Sequence, residues 1–145
     1  VPSCGDQNGD GIRYLVVDDI ISMNRLMLDL TPNEPFGIID RNGIESAQQR
    51  PCVYRYYAQT DDIFSLAAVF GSSLIQNHCF MNANKRTAAG CVFDFLMLNG
   101  WELTAPEADV VLMYEGVATH EYSDTEFADW LAYWSREFDT SELNR

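Results

Sequence analysis

Lysine is almost missing from this chain. Lys85 is the only one, and the other eight of its nine basic residues are arginine. Basic charge is scarce as a whole: 22 acidic residues leave a net charge of −13 and a pI near 4.2. A field of that sign repels nucleic acid and anionic lipid, which sets DNA-groove and membrane-surface roles aside. Long apolar runs are missing too. None approaches the roughly 18 residues a spanning helix needs, and no charged-then-apolar leader opens the sequence. Cysteine is sparse, with Cys4, Cys52, Cys79 and Cys91 far apart, in no C-x-x-C pair and with no histidine at zinc-finger spacing. That excludes a zinc module and argues against a disulfide scaffold. Cys79 and Cys91 lie among apolar neighbours and read as buried thiols, with a reducing, cytoplasmic setting as the default.

What is present is enough to fold. A chain of 145 residues with 47% hydrophobic and 12% aromatic content is one domain with a real core, which excludes wholesale disorder. The patterning is helical nearly throughout, so the expected fold is all-α. Ile20, Met23, Met27 and Leu30 make a stripe on a first helix that starts near Asp18 or Asp19 and stops before Pro32. The two prolines and the glycine in Thr31–Ile39 mark a loop or short hairpin. Asp40 caps a short helix through Gln49 that Pro51 ends. Thr60-Asp61-Asp62 opens a longer helix with Ile63, Leu66, Ala67, Phe70 and Leu74 buried, and His78 follows one step later. From Asn84 to about Leu98 the next helix is apolar nearly all round, which makes it the central element, and Asn99-Gly100 terminates it. Pro106 opens a helix bearing Val110, Val111, Tyr114, Val117 and Ala118; Ser123 to Glu126 is a capping box for a last helix with Phe127, Trp130, Leu131, Trp134 and Phe138.

Two segments invite a functional reading. Asp6-Gln-Asn8-Gly-Asp10-Gly11 looks like the start of a calcium loop, but the twelfth position is Val17 where a carboxylate is needed, so it reads as a polar turn. The segment His78-Cys-Phe80-Met-Asn82-Ala-Asn84-Lys85-Arg86-Thr-Ala88 carries more. An imidazole is delivered at one helix end, Phe80 anchors a short loop, and a second helix starts near Asn84 with its unpaired N–H groups and positive dipole end outward. Lys85 and Arg86 add cationic side chains to that anion site. Cations at a helix start are mildly unfavourable for the dipole, so a purely structural reading leaves them without a benefit. A base beside a polyphosphate cradle is what phosphoryl or nucleotidyl transfer to a hydroxyl requires.

That order resembles the Fic/Doc (Fido) family signature H-x-F-x-[DN]-[AG]-N-K-R-T-A in its death-on-curing (Doc) version, here HCFMNANKRTA. The likeness continues in the first helix from Arg13, in Phe36–Ala47 and Arg50-Pro51, and in Phe93–Leu103, so it covers roughly Arg13 to Phe138. It implies a domain over residues 13–138, a flexible segment over 1–12, a tail over 139–145, and a compact Fido helical bundle with a short flap between the first two helices. By resemblance, His78 is the general base, Phe80 the structural anchor of the loop and Asn82 a magnesium ligand, while Asn84, Lys85 and Arg86 hold the phosphates of ATP. Lysine rather than glycine at position 85 is associated with γ-phosphoryl transfer rather than transfer of AMP. The family's Doc toxins phosphorylate elongation factor Tu, stop translation, and are neutralised by a Phd-like antitoxin.

The departures are specific. Asn82 is uncharged where many members carry an acid, which weakens a hard cation's hold. Gln76 stands where the best-known Doc toxin has arginine. The autoinhibitory pattern [S/T]-x-x-x-E-[G/N] fails, because the only candidate, Glu115-Gly116, is preceded by Val111 at the position that needs a hydroxyl. Four readings follow: a Doc-type kinase acting on a protein hydroxyl; an AMP-transferring Fic enzyme, as an effector delivered into another cell; a degenerate Fido binding module; and, most distantly, a Cys79–His78 hydrolase.

Overall fold

The computed structural model describes residues 11–144. Six helices follow in order: α1 (Val17–Leu28), α2 (Arg41–Ala58), α3 (Ile63–Gln76), α4 (Asn84–Leu98), α5 (Glu107–Ala118) and α6 (Asp124–Trp134). A short strand, β1 (Trp101–Leu103), leaves α4 and pairs antiparallel with β2 (Ser135–Glu137), which leaves α6. A 3-10 turn, Thr140–Asn144, ends the described chain. The architecture is all-α, as expected, with α3 and α4 packed together at its centre. The core is the apolar stripe of α3 (Leu66, Phe70, Leu74) against Ala88, Cys91, Val92 and Phe95 of α4, closed by Ile20, Ile44, Phe127 and Leu131.

Side-chain caps explain three of the six described helix starts. Gly43 N donates to Asp40 Oδ1 at 2.9 Å, Phe64 N donates to Asp62 Oδ1 at 3.4 Å, and Ser123 and Glu126 exchange reciprocal bonds as a capping box. Gly100 ends α4 with φ +92°, a conformation that glycine adopts without steric cost. Gly90 has a different task. A Cβ there would run into the side chains of Met23 and Met27, so its absence lets α1 approach α4 closely.

Several expectations change. α2 does not stop before Pro51 but continues to Ala58, and Gln59 ends it in the left-handed conformation at φ 51°. Burial of Pro51 and Cys52 against the core compensates for the one backbone hydrogen bond proline removes. In α1 the buried positions are Ile20, Asn24 and Leu28, while Leu30 lies beyond the helix and is 70% exposed. Of the loop or short hairpin expected between α1 and α2, the chain forms the loop, a turn-rich segment. Its extended partner is the loop after α3, through an isolated Ile38–Phe80 bridge. The α6 stripe stops at Trp134, because the chain turns extended at Ser135 to pair with β1; Phe138 N donates to Gly100 O instead.

Ile12 is buried in the core, and the 3-10 turn lies against α4. Cys79 and Cys91 are free and buried as expected, but Cys52 is disulfide-bonded, which removes cysteine usage as an argument for a reducing compartment. Cys4, the Asp6–Gly11 turn apart from Gly11, and most of the 1–12 segment lie outside the described residues. Among the described residues, no helix is long and apolar enough to cross a membrane.

Candidate active site

α3 ends at Gln76, and the chain crosses to α4 through only seven residues. This connection is held at both ends by unusual backbone. His78 has φ 47° and Ala83 has φ 65°, left-handed values that cost a non-glycine residue about 1 kcal/mol or more each. Such a conformation persists only where neighbours fix it, and here they do. Asn84 spends both ends of its amide on Phe80: Phe80 N donates to Asn84 Oδ1 at 3.0 Å, and Asn84 Nδ2 donates to Phe80 O at 2.8 Å. Phe80 itself is 2% exposed and tilts against Phe36 of the flap. Ile39 N and Asp40 N donate to Cys79 O, and Met81 N donates to Gly37 O, so flap and loop form one ribbon.

This geometry opens a cavity of about 440 Å³ lined by His78, Asn82, Asn84, Lys85 and Arg86, with Ile75 and Ala118 at its back. His78 is exposed rather than sealed among apolar neighbours. Ala83 at the N-cap of α4 offers no side-chain cap, so the first-turn N–H groups face this cavity without that competitor. Imidazole, helix start and cations therefore line one cavity.

The individual residues are more committed than the sequence suggested. Arg86 donates to Met27 O at 3.0 Å and Thr31 Oγ1 at 3.1 Å, and pairs with Glu34 Oε1 at 2.8 Å. The Thr31 hydroxyl and the Arg86 guanidinium hold the Glu34 carboxyl below its ordinary value. Arg86 is thus a brace from α4 to the end of α1 and the flap as well as a wall of the cavity. Lys85 is exposed at the mouth. Asn82 Nδ2 donates to Pro35 O at 3.0 Å, which leaves Oδ1 as the end available to a cation. Gln76 Nε2 donates to Val117 O at 2.9 Å, tying α3 to α5 instead of facing phosphate.

Sequence reasoning missed two participants. Glu34 gave no signal because its partner is 52 positions away. Asn24 was passed over inside an apolar stripe, although a polar residue at a buried helical position was there to be noticed. Cys79 does not serve as a nucleophile: it is buried, and burial, with Asp40 nearby, pushes its thiol up to about 11, where little thiolate forms.

Residues 14–96 match the family model described as Fic/DOC family. The chain belongs to the Fic/Doc family. It is also 29% identical over 122 residues to "Protein kinase doc" of Escherichia phage P1, an alignment spanning 83% of this chain and 94% of that protein. The similarity sets it in the Doc-like branch, in agreement with the lysine at position 85. The family match begins in the segment leading into α1 and ends within α4, so it contains the flap, the loop and every lining residue of the cavity named above except Ala118.

Proposed function

We propose that this protein is a Doc-like toxin that transfers the γ-phosphoryl group of ATP to a serine or threonine hydroxyl of another protein. The observation that carries this reading is the shared cavity: an exposed His78 lies on the same wall as the uncapped start of α4 and Lys85. The acceptor hydroxyl gives its proton to the His78 imidazole as its oxygen bonds to the γ-phosphorus. The bond from that phosphorus to the bridging oxygen breaks, and ADP leaves. The first-turn N–H groups of α4 and the Lys85 ammonium hold the charge that develops on the phosphoryl oxygens. Arg86 contributes through its position, since its guanidinium is already braced by Glu34.

A magnesium ion would neutralise phosphate charge, and Asn82 is the residue that would hold it. Among the described residues no group of three or more His, Cys, Asp or Glu forms a cation site, and Asn82 supplies one neutral oxygen. Such a site suits an ion carried mainly by phosphate oxygens, with Asn82 as the protein ligand; the ion neutralises phosphate charge when bound. The acceptor in this reading is elongation factor Tu, the consequence is arrest of translation in the cytoplasm, and a Phd-like antitoxin restrains it. With −13 net charge on the toxin, an acidic antitoxin needs a local basic patch to dock on.

The test is label transfer. Cell lysate incubated with the protein and γ-labelled ATP is expected to show label on protein. Label arriving only from the α-phosphate means AMP transfer, and label from neither position means a binding module.

A further inference from the structure

We infer that Asn24 is a positioning residue for the active-site loop, an inference that rests on the proposed phosphotransfer. Asn24 lies in the middle of α1 and is 0% exposed. Its Nδ2 donates twice, to Asn82 O at 2.9 Å and to Thr87 Oγ1 at 3.0 Å. Those two acceptors bracket the entry into α4. Asn82 precedes the left-handed Ala83, and Thr87 is one turn into the helix. A single amide thus grips both sides of the point where the chain turns into the anion-binding helix start.

The other half of the amide shows that core stability is a poor account of this residue. Asn24 Oδ1 is buried without a partner. A buried acceptor left unpaired is costly, and an aliphatic side chain of similar size would avoid that cost between α1 and α4. The position therefore carries a penalty in the core and delivers two bonds to the loop. Ala83 needs outside support because its backbone sits where a Cβ is disfavoured. Without Asn24, the peptide between Asn82 and Ala83 is free to relax, and the first-turn N–H groups lose their aim relative to His78.

The experiment compares wild type, Asn24→Leu, Thr87→Val, and Asn24→Leu combined with Ala83→Gly. Initial rates of γ-label transfer from Mg-ATP to lysate protein are measured at saturating and limiting nucleotide, beside thermal unfolding and amide hydrogen exchange. Asn24→Leu is expected to lower the saturating rate by about 10- to 100-fold, as misplacement of reacting groups does, with a smaller change in the KM for ATP. Exchange at the hydrogen-bonded amides of Phe80, Met81 and Thr87 is expected to speed up while the amides of α3 hold. Ala83→Gly is expected to restore much of the rate, because glycine adopts the left-handed turn without help; a loss that came from core damage would not be recovered there. Thr87→Val, which keeps the bond to Asn82, is expected to give a weaker version of the same pattern and decides the matter if Asn24→Leu does not fold. Unchanged rate and exchange in a folded Asn24→Leu protein, or a loss that Ala83→Gly does not relieve, overturns the inference. If wild type transfers no label, the phosphotransfer reading fails, and the exchange data still decide whether Asn24 holds the loop.

Discussion

Two concavities lie toward opposite ends of the same helix. The one toward the C-terminal half of α4 encloses about 550 Å³ between α1 and α4, with Leu26, Met97 and Leu98 among its walls and two acids, Asp19 and Asp94, against one cation, Arg13. The one at the N-terminal end encloses about 440 Å³ and has His78, Lys85 and Arg86. Volume favours the first; charge and dipole favour the second. The helix end that attracts anions is paired with cations, and the half that repels them is paired with acids. Burial, with Asp19 nearby, even pushes the Asp94 carboxyl up from its ordinary value. Of these two cavities, the smaller has the charge that suits the triphosphate of the proposed reaction.

The difference is most sharply broken at His78. His78→Ala is expected to lower transfer by about 10²–10⁴-fold, the usual worth of a positioned general base, with circular dichroism and unfolding temperature unchanged because the ring is exposed. Lys85→Gly comes next, with γ-transfer reduced by roughly ten- to a hundredfold if its ammonium stabilises the phosphoryl charge. Unchanged kinetics in Lys85→Gly would remove the preference for phosphate over AMP transfer.

Smaller effects separate the two cavities by sign. The Glu34 carboxyl is held below its ordinary value of 4.5, so its contact with Thr31 and Arg86 is fully present above that pH and is lost as pH falls through the lowered folded value. Glu34→Gln is therefore expected to lower the unfolding temperature slightly at neutral pH, with the gap to wild type closing in acid. Asp94 is the reverse case. A carboxyl whose folded value is raised opposes folding when ionised, so Asp94→Asn is expected to stabilise the protein at neutral pH by well under about 1 kcal/mol. That gain should fade as pH falls and wild-type Asp94 takes up its proton in the folded state. Thermal melts of both variants across the acid range check the two signs together.

Which parts were legible in the sequence follows from how far apart the cooperating residues lie. The bounds of α4, the stripe of α3 and the caps at Asp40, Asp62 and Ser123 depend on neighbours within a turn or two, and the motif from His78 to Ala88 sits in one contiguous stretch. What stayed hidden depends on distant partners. The pairing of Trp101 with Glu137 has too few residues for a period-two pattern. The continuation of α2 past Pro51 is decided by packing against α3, which overrides the local signal. Arg86 could be read as a phosphate contact but not as a brace to Glu34, and Asn24 could be read only by asking why an amide interrupts the buried side of α1.

The most direct test of the account is a structure of the protein crystallised with Mg-ATP. The triphosphate is expected on the first turn of α4 beside Lys85, with its terminal phosphate nearest His78. Nucleotide in the larger acidic cavity, or bound at α4 with the α-phosphate nearest the imidazole, would contradict it.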